Sequence, residues 1–158
     1  MSKGCNASPH RGVASKEELS KADIDAFVEG IFSESAEAFL RDAVARTDGR
    51  FRKRLFEAAR AGEGVDQRLA VESSPVPLAV VNGGADRVVN LAYFDTVDYA
   101  NLWEGRCHRL NGLGHAPFWE APGDFYPILE RFLHDVETGR ATRQHESEAL
   151  LKMVDQES

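Results

Sequence analysis

The chain has 158 residues, 42% hydrophobic and 28% charged, the length and composition of one ordinary globular domain rather than a disordered chain. Asp and Glu (26) outnumber Lys and Arg (19), and the formal charge of −7 argues against nucleic acid as a partner, because phosphate contacts need clustered bases. No stretch approaches the ~20 apolar residues of a membrane span, and the opening MSKGCNASPH has no apolar core behind its basic residue, so neither a membrane partner nor a signal peptide is expected. Cys5 and Cys107 lie far apart and make no metal-ligand spacing. The expectation is a reduced cytoplasmic protein with no metal and no cofactor.

Residues 1–19 read as an irregular segment of loop formers: Asn6, Ser8, Pro9, Gly12 and Ser15. Ser20-Lys21-Ala22-Asp23 forms a capping box with Asp in the place of Glu, and Ile24, Phe27, Val28, Ile31 and Phe32 follow at helical spacing. A second helical pattern carries Phe39, Leu40, Ala43 and Val44 and stops near Thr47-Asp48-Gly49. A third carries Phe51, Leu55, Phe56 and Ala59 and stops at Ala61-Gly62. Its basic run, Arg50, Arg52, Lys53 and Arg54, reads as a solvated face. The phenylalanines of these helices read first as core, and second as the lining of an apolar channel if the helices cover a site.

Pro75-Val76-Pro77 ends helical character. The apolar run from Pro77 to Asn82, closed by Gly83-Gly84, reads as a strand buried on both faces, as in parallel sheets of α/β proteins. A helix with uncertain ends falls within about residues 90–103. Arg106 to Asn111 is a second, more polar strand candidate suited to a sheet edge, and Gly112-Leu113-Gly114-His115 turns away from it. A final helix spans about Asp124 to Thr138, with Pro127 in its first turn and Phe125, Ile128, Leu129, Phe132, Leu133 and Val136 as its stripe. Residues 139–158 form a polar tail in which Leu150, Leu151 and Val154 suit one amphipathic turn.

Two positions carry chemistry. Asp86 follows one strand through Gly83-Gly84-Ala85, and His115 follows the next through Gly112-Leu113-Gly114. Ligands of open α/β sheets bind outside the carboxyl ends of the strands, so both side chains would face one crevice. An Asp beside a His is an acid–base pair, in which the carboxylate accepts the Nδ1 proton and stabilises the imidazolium when Nε2 is protonated. Each residue alone also suits a plain turn.

The stretch from Pro75 to Val136 resembles the C-terminal portion of the α/β-hydrolase superfamily. The resemblance rests on the strand Val76 to Val81, the turn Gly83-x-x-Asp86, Leu102-Trp103 and the strand Arg106 to Leu110. Gly112-Leu113-Gly114-His115-Ala116-Pro117 and Phe118-Trp119-Glu120-Ala121-Pro122 follow, in a G-H-x-P-x-x-E-x-P pattern. The resemblance implies a partial α/β-hydrolase fold: a helical cap at 20–74, then two parallel strands and flanking helices in a core portion at 75–138. It implies that Asp86 is the triad acid and His115 the general base.

The superfamily's nucleophile precedes its acid, on a G-x-S-x-G elbow. No serine here has glycine at both flanking offsets, neither cysteine sits on an elbow, and no HGGG-type oxyanion segment is present. A full sheet with a cap takes roughly 250 residues or more. The expectation is therefore a truncated hydrolase of an ester or similar bond in a small, largely apolar substrate, inactive without its nucleophile. The competing reading is a non-catalytic remnant that binds a ligand or protein partner, with Phe118, Trp119 and Tyr93 as candidate pocket residues. A strand at 77–82 deprived of its neighbour would present a free apolar edge, and self-association is expected.

Overall fold

The structure, a computed structural model, describes residues 10–32 and 36–141. Cys5 and the tail residues Leu150, Leu151 and Val154 lie outside the described residues. Five helices come first: α1 (His10–Ala14), α2 (Lys21–Phe32), α3 (Ala38–Arg46), α4 (Gly49–Ala61) and α5 (Gln67–Ser73). Strand β1 (Val81–Gly83) and helix α6 (Leu91–Phe94) follow, then a 3-10 turn at Trp103–Gly105 and strand β2 (His108–Leu110). Helices α7 (Pro117–Glu120) and α8 (Pro122–Glu137) close the described chain.

The start of α2 follows from its capping residues. The Asp23 N–H donates to Ser20 Oγ at 3.2 Å, and the Ser20 N–H donates back to Asp23 Oδ2 at 3.0 Å. Hydrogen bonds from Lys16 and then Ser20 hold the Asp23 carboxyl down at about 2. The short helix α1 stands within the segment expected to be irregular, and α5 was not foreseen. Val28 of α2 is fully buried, but of the stripe expected to be core on α4 only Phe56 is half-buried, while Phe51 and Leu55 are 65% and 54% exposed. Its basic run is tied down locally, with Arg50 on Asp48 at 2.8 Å and Lys53 on Glu17 at 3.1 Å.

The sheet has two parallel strands, with Val81 opposite His108, Asn82 opposite Arg109 and Gly83 opposite Leu110. An isolated bridge joins Leu78 to Leu102, and the Trp103 N–H donates to Leu78 O at 2.8 Å. The apolar run expected to be buried on both faces is only half-buried from Leu78 to Asn82. Burial on both faces requires layers on both sides, and among the described residues β1 has one strand neighbour. Helix α8 begins at Pro122, so Pro127 lies inside it rather than in its first turn. The carbonyl that Pro127 leaves without its helical donor belongs to Gly123, which is exposed to water.

The α8 helix is anchored by Trp103, which is 1% exposed. Its ring stacks on His108 at 4.9 Å, meets Phe132 edge-on at 5.5 Å, and its Nε1–H donates to Asp135 at 3.1 Å. Arg131 covers the ring at 5.1 Å. Burial pushes the His108 imidazole below its ordinary value, against the opposing pull of Glu104 at 3.5 Å and with help from Arg106 and Arg131. The unfolded chain therefore takes up this proton first as pH falls from about 6.5. Stability drops as pH falls from there toward the lower folded value, because the native state keeps the ring neutral. Melting temperature measured from pH 7.5 to 5 should show this slope, and the His108→Gln variant should flatten it; an unchanged slope would refute the assignment.

Candidate active site

The two loops that leave β1 and β2 are sewn together by their backbones. The Gly84 N–H donates to Leu110 O at 2.7 Å, and the Ala85 N–H donates to Leu113 O at 2.8 Å. Gly112 makes the turn out of β2 with φ 75°, a left-handed conformation that disfavours a side chain. Gly83 is buried at the end of β1, where a methyl group would overlap the carbonyl oxygens of Leu113 and Gly114. The absence of a side chain at 83 lets the histidine loop close over the strand end.

This closure brings Asp86 and His115, 29 residues apart in sequence, into contact: His115 Nδ1 lies 2.9 Å from Asp86 Oδ2. With the neutral proton on Nδ1, the ring donates to the carboxylate. The Asp86 side chain is 1% exposed and that of His115 is 33% exposed. Asp86 is also a turn residue, because its Oδ1 accepts the N–H groups of Val88 at 2.7 Å and Val89 at 3.0 Å. The plain-turn reading and the acid–base reading thus use different oxygens of one carboxylate. A ring held this way keeps Nε2 for a reacting group, where it can take up a proton and pass it on.

Further side chains hold and surround the pair. Glu120 Oε2 accepts the Gly114 N–H at 2.7 Å and Oε1 accepts the Ala116 N–H at 3.0 Å, on either side of His115. The signal was present in the pattern, since one helical turn sets residue 120 over residue 116. Beneath the strands, Arg109 donates to Asn82 at 3.2 Å, to Leu91 O at 3.3 Å and to Asp95 at 2.8 Å, tying α6 to the sheet. Cys107 is a half-buried free thiol beside Tyr99, whose phenol is pushed up to about 12, first by burial and then by the thiol. Of the candidate pocket aromatics, Phe118 is 52% and Trp119 36% exposed, and Trp119 meets Phe39 of α3 edge-on at 5.5 Å. Tyr93 is half-buried under Arg68. Two surface hollows, of about 570 and 380 Å³, lie among charged residues such as Glu17, Lys53 and Arg52, and neither includes Asp86 or His115. Among the described residues, no group of three or more His, Cys, Asp or Glu side chains is placed to hold a metal, and no helix is long and apolar enough to cross a membrane.

No family profile matches the chain, and a comparison with curated proteins returned no match. Solved structures of the N-acyl homoserine lactonase AidH do match. One is its complex with N-butanoyl homoserine, at 41% identity and a TM-score of 0.81 over 84% of this chain and 48% of that one. A serine-to-glycine variant of AidH with N-hexanoyl homoserine lactone gives the same identity, score and coverage of this chain, and 49% of its own. A glutamate-to-glycine variant with N-hexanoyl homoserine repeats the first set of values. The chain thus spans about half the length of the solved proteins it matches. Its parallel strand pair and flanking helices are a partial α/β-hydrolase fold, similar to the C-terminal portion of that superfamily as AidH represents it.

Proposed function

We propose that this chain supplies the acid–base half of a hydrolase active site for a carboxylic ester, with a lactone as its most natural form. The observation that carries the reading is the 2.9 Å contact between His115 Nδ1 and the buried Asp86 carboxylate, in a chain 41% identical to a lactonase. His115 Nε2 accepts the proton of the attacking hydroxyl, Asp86 stabilises the resulting imidazolium, and Nε2 returns the proton to the leaving oxygen. The attacking hydroxyl lies outside these 158 residues, because no serine of this sequence lies between glycines at both flanking offsets. Helices α2 to α5 act as a cap, a role supported by the packing of Phe39 on Trp119 one residue from Glu120. The acyl chains bound by AidH fit the expected small, largely apolar substrate.

The test is an assay of an activated aryl ester and of a short-chain N-acyl homoserine lactone. The purified chain alone should turn over neither. Mixed with a separately expressed N-terminal half of AidH, it should hydrolyse both, and His115→Ala should abolish the activity. Robust turnover by the chain alone, lost in His115→Ala, would refute the division of labour. A binding-only role is favoured by the exposed Phe118 and Trp119 beside the pair. Stoichiometric binding of an acyl lactone that survives loss of both Asp86 and His115 would support that reading instead.

The free side of β1 also supports a proposal about assembly. Among the described residues β1 pairs only with β2, its run is half-buried, and Val76 is 67% exposed. Such an edge recruits further strands, and the chain on its own is expected to self-associate. Sedimentation velocity should show species larger than 17.5 kDa that shift with concentration. A monodisperse monomer that melts cooperatively would contradict this.

A further inference from the structure

We infer that Glu120 is the positioning residue for His115, acting through the backbone on both sides of it. Helix α7 is a single turn whose N-cap, Ala116, has no side chain able to accept a hydrogen bond. Glu120, the last residue of that turn, reaches back as the acidic partner of a capping box does: Oε1 takes the Ala116 N–H at 3.0 Å and Oε2 takes the Gly114 N–H at 2.7 Å. One carboxylate thus grips the residue before His115 and the residue after it. Gly114 leaves room for this grip, because a methyl group there would lie 3.0 and 3.2 Å from the two Glu120 oxygens and crowd them. Ala116 and Pro117 are buried, so the far end of the strap cannot give way toward water, and the proline ring fixes φ just beyond it. Between these two pins only His115 is left to project, and it projects onto Asp86. A neutral group at 120 could not serve equally. Both partners are donors, and only a carboxylate offers an acceptor oxygen to each; the amide of glutamine would turn a donor toward one of them.

This inference rests on the acid–base reading of Asp86 and His115, and its test leaves catalysis aside. The two ring nitrogens of His115 are followed by 15N NMR in the full chain, at a pH high enough to keep the ring neutral, and are assigned with His115→Gln. A ring fixed with its proton on Nδ1 gives two widely separated resonances, and a ring free to exchange tautomers gives two that converge. The wild type should show wide separation. Glu120→Ala should lose most of it, and Glu120→Gln, which keeps one acceptor, should fall between. Melting temperatures are read on the same samples, so that loss of stability alone is not mistaken for loss of position. Full separation retained in Glu120→Ala, or in Glu120→Gln should the alanine variant fail to fold, would overturn the inference while leaving the pair intact. Converged resonances in the wild type would overturn the pair itself and this inference with it.

Discussion

Replacing Asp86 by alanine is expected to lower the unfolding free energy by about 2–4 kcal/mol, while replacing it by asparagine should cost less than about 1 kcal/mol. The carboxylate is 1% exposed and accepts three hydrogen bonds, from Val88 N–H, Val89 N–H and His115 Nδ1–H. Alanine strands two half-buried amides and the imidazole at once, and each unsatisfied group costs on the order of 1–3 kcal/mol. Asparagine keeps Oδ1 for both amides and turns its NH₂ toward the ring. Nδ1 must then accept, and the proton moves to Nε2. The two variants therefore separate two roles: alanine breaks the turn, and asparagine keeps the turn but installs the wrong tautomer. In triads of this kind the wrong tautomer lowers kcat by about 10⁴-fold with little change in geometry. Urea unfolding of both variants, with activity read in the two-fragment mixture, checks the split. Equal destabilisation by both, or full activity with asparagine, would contradict it.

Gly83→Ala is expected to be more harmful still, with a cost of about 3 kcal/mol or more and displacement of the histidine loop. The added methyl would overlap the backbone oxygens of Leu113 and Gly114. Backbone atoms cannot rotate out of the way as the end of a long side chain can. Either the loop lifts, breaking the bond from the Ala85 N–H to Leu113 O and carrying His115 off Asp86, or the strand end distorts. The neighbour Gly84 is the control: a methyl there meets Leu110 O at 3.3 Å, close enough to need a small adjustment and no more. Gly84→Ala should therefore cost about 1 kcal/mol or less and leave the His115 resonances in place. Similar unfolding curves for the two alanine variants would show that the loop approaches β1 less closely than described.

The parts of this site that were legible in the sequence are those whose physics is local. Pro75-Val76-Pro77 excludes helix by backbone sterics, Gly83-Gly84 closes an apolar run, and Ser20 with Asp23 is a cap that needs four residues to recognise. Asp86 and His115 could be singled out because each follows a strand through glycines. What was not legible depends on partners distant in the chain. The ladder covers only Val81–Gly83 with one bridge at Leu78, because pairing depends on how β2 approaches. Phe51 and Leu55 have the spacing of a buried stripe, yet nothing among the described residues covers them. Helix α5 lacks such a stripe and is set by Asp66, whose carboxylate accepts the N–H groups of Arg68 and Leu69. Glu120 lies in the G-H-x-P-x-x-E-x-P pattern, and its spacing from Ala116 was legible, but its hold on the Gly114 N–H depends on how the histidine loop closes.

In the proposed acid–base role, the carboxylate at 86 and the imidazole at 115 work as one unit. The sharpest check is a double-mutant cycle by urea unfolding of the wild type, Asp86→Ala, His115→Ala and the double variant, in which the cost of the broken Val88–Val89 turn cancels. The two losses should fail to add, with a coupling on the order of 1 kcal/mol at neutral pH. Strict additivity at neutral pH would mean that the two side chains do not meet in solution, and the proposed acid–base role would fall with them.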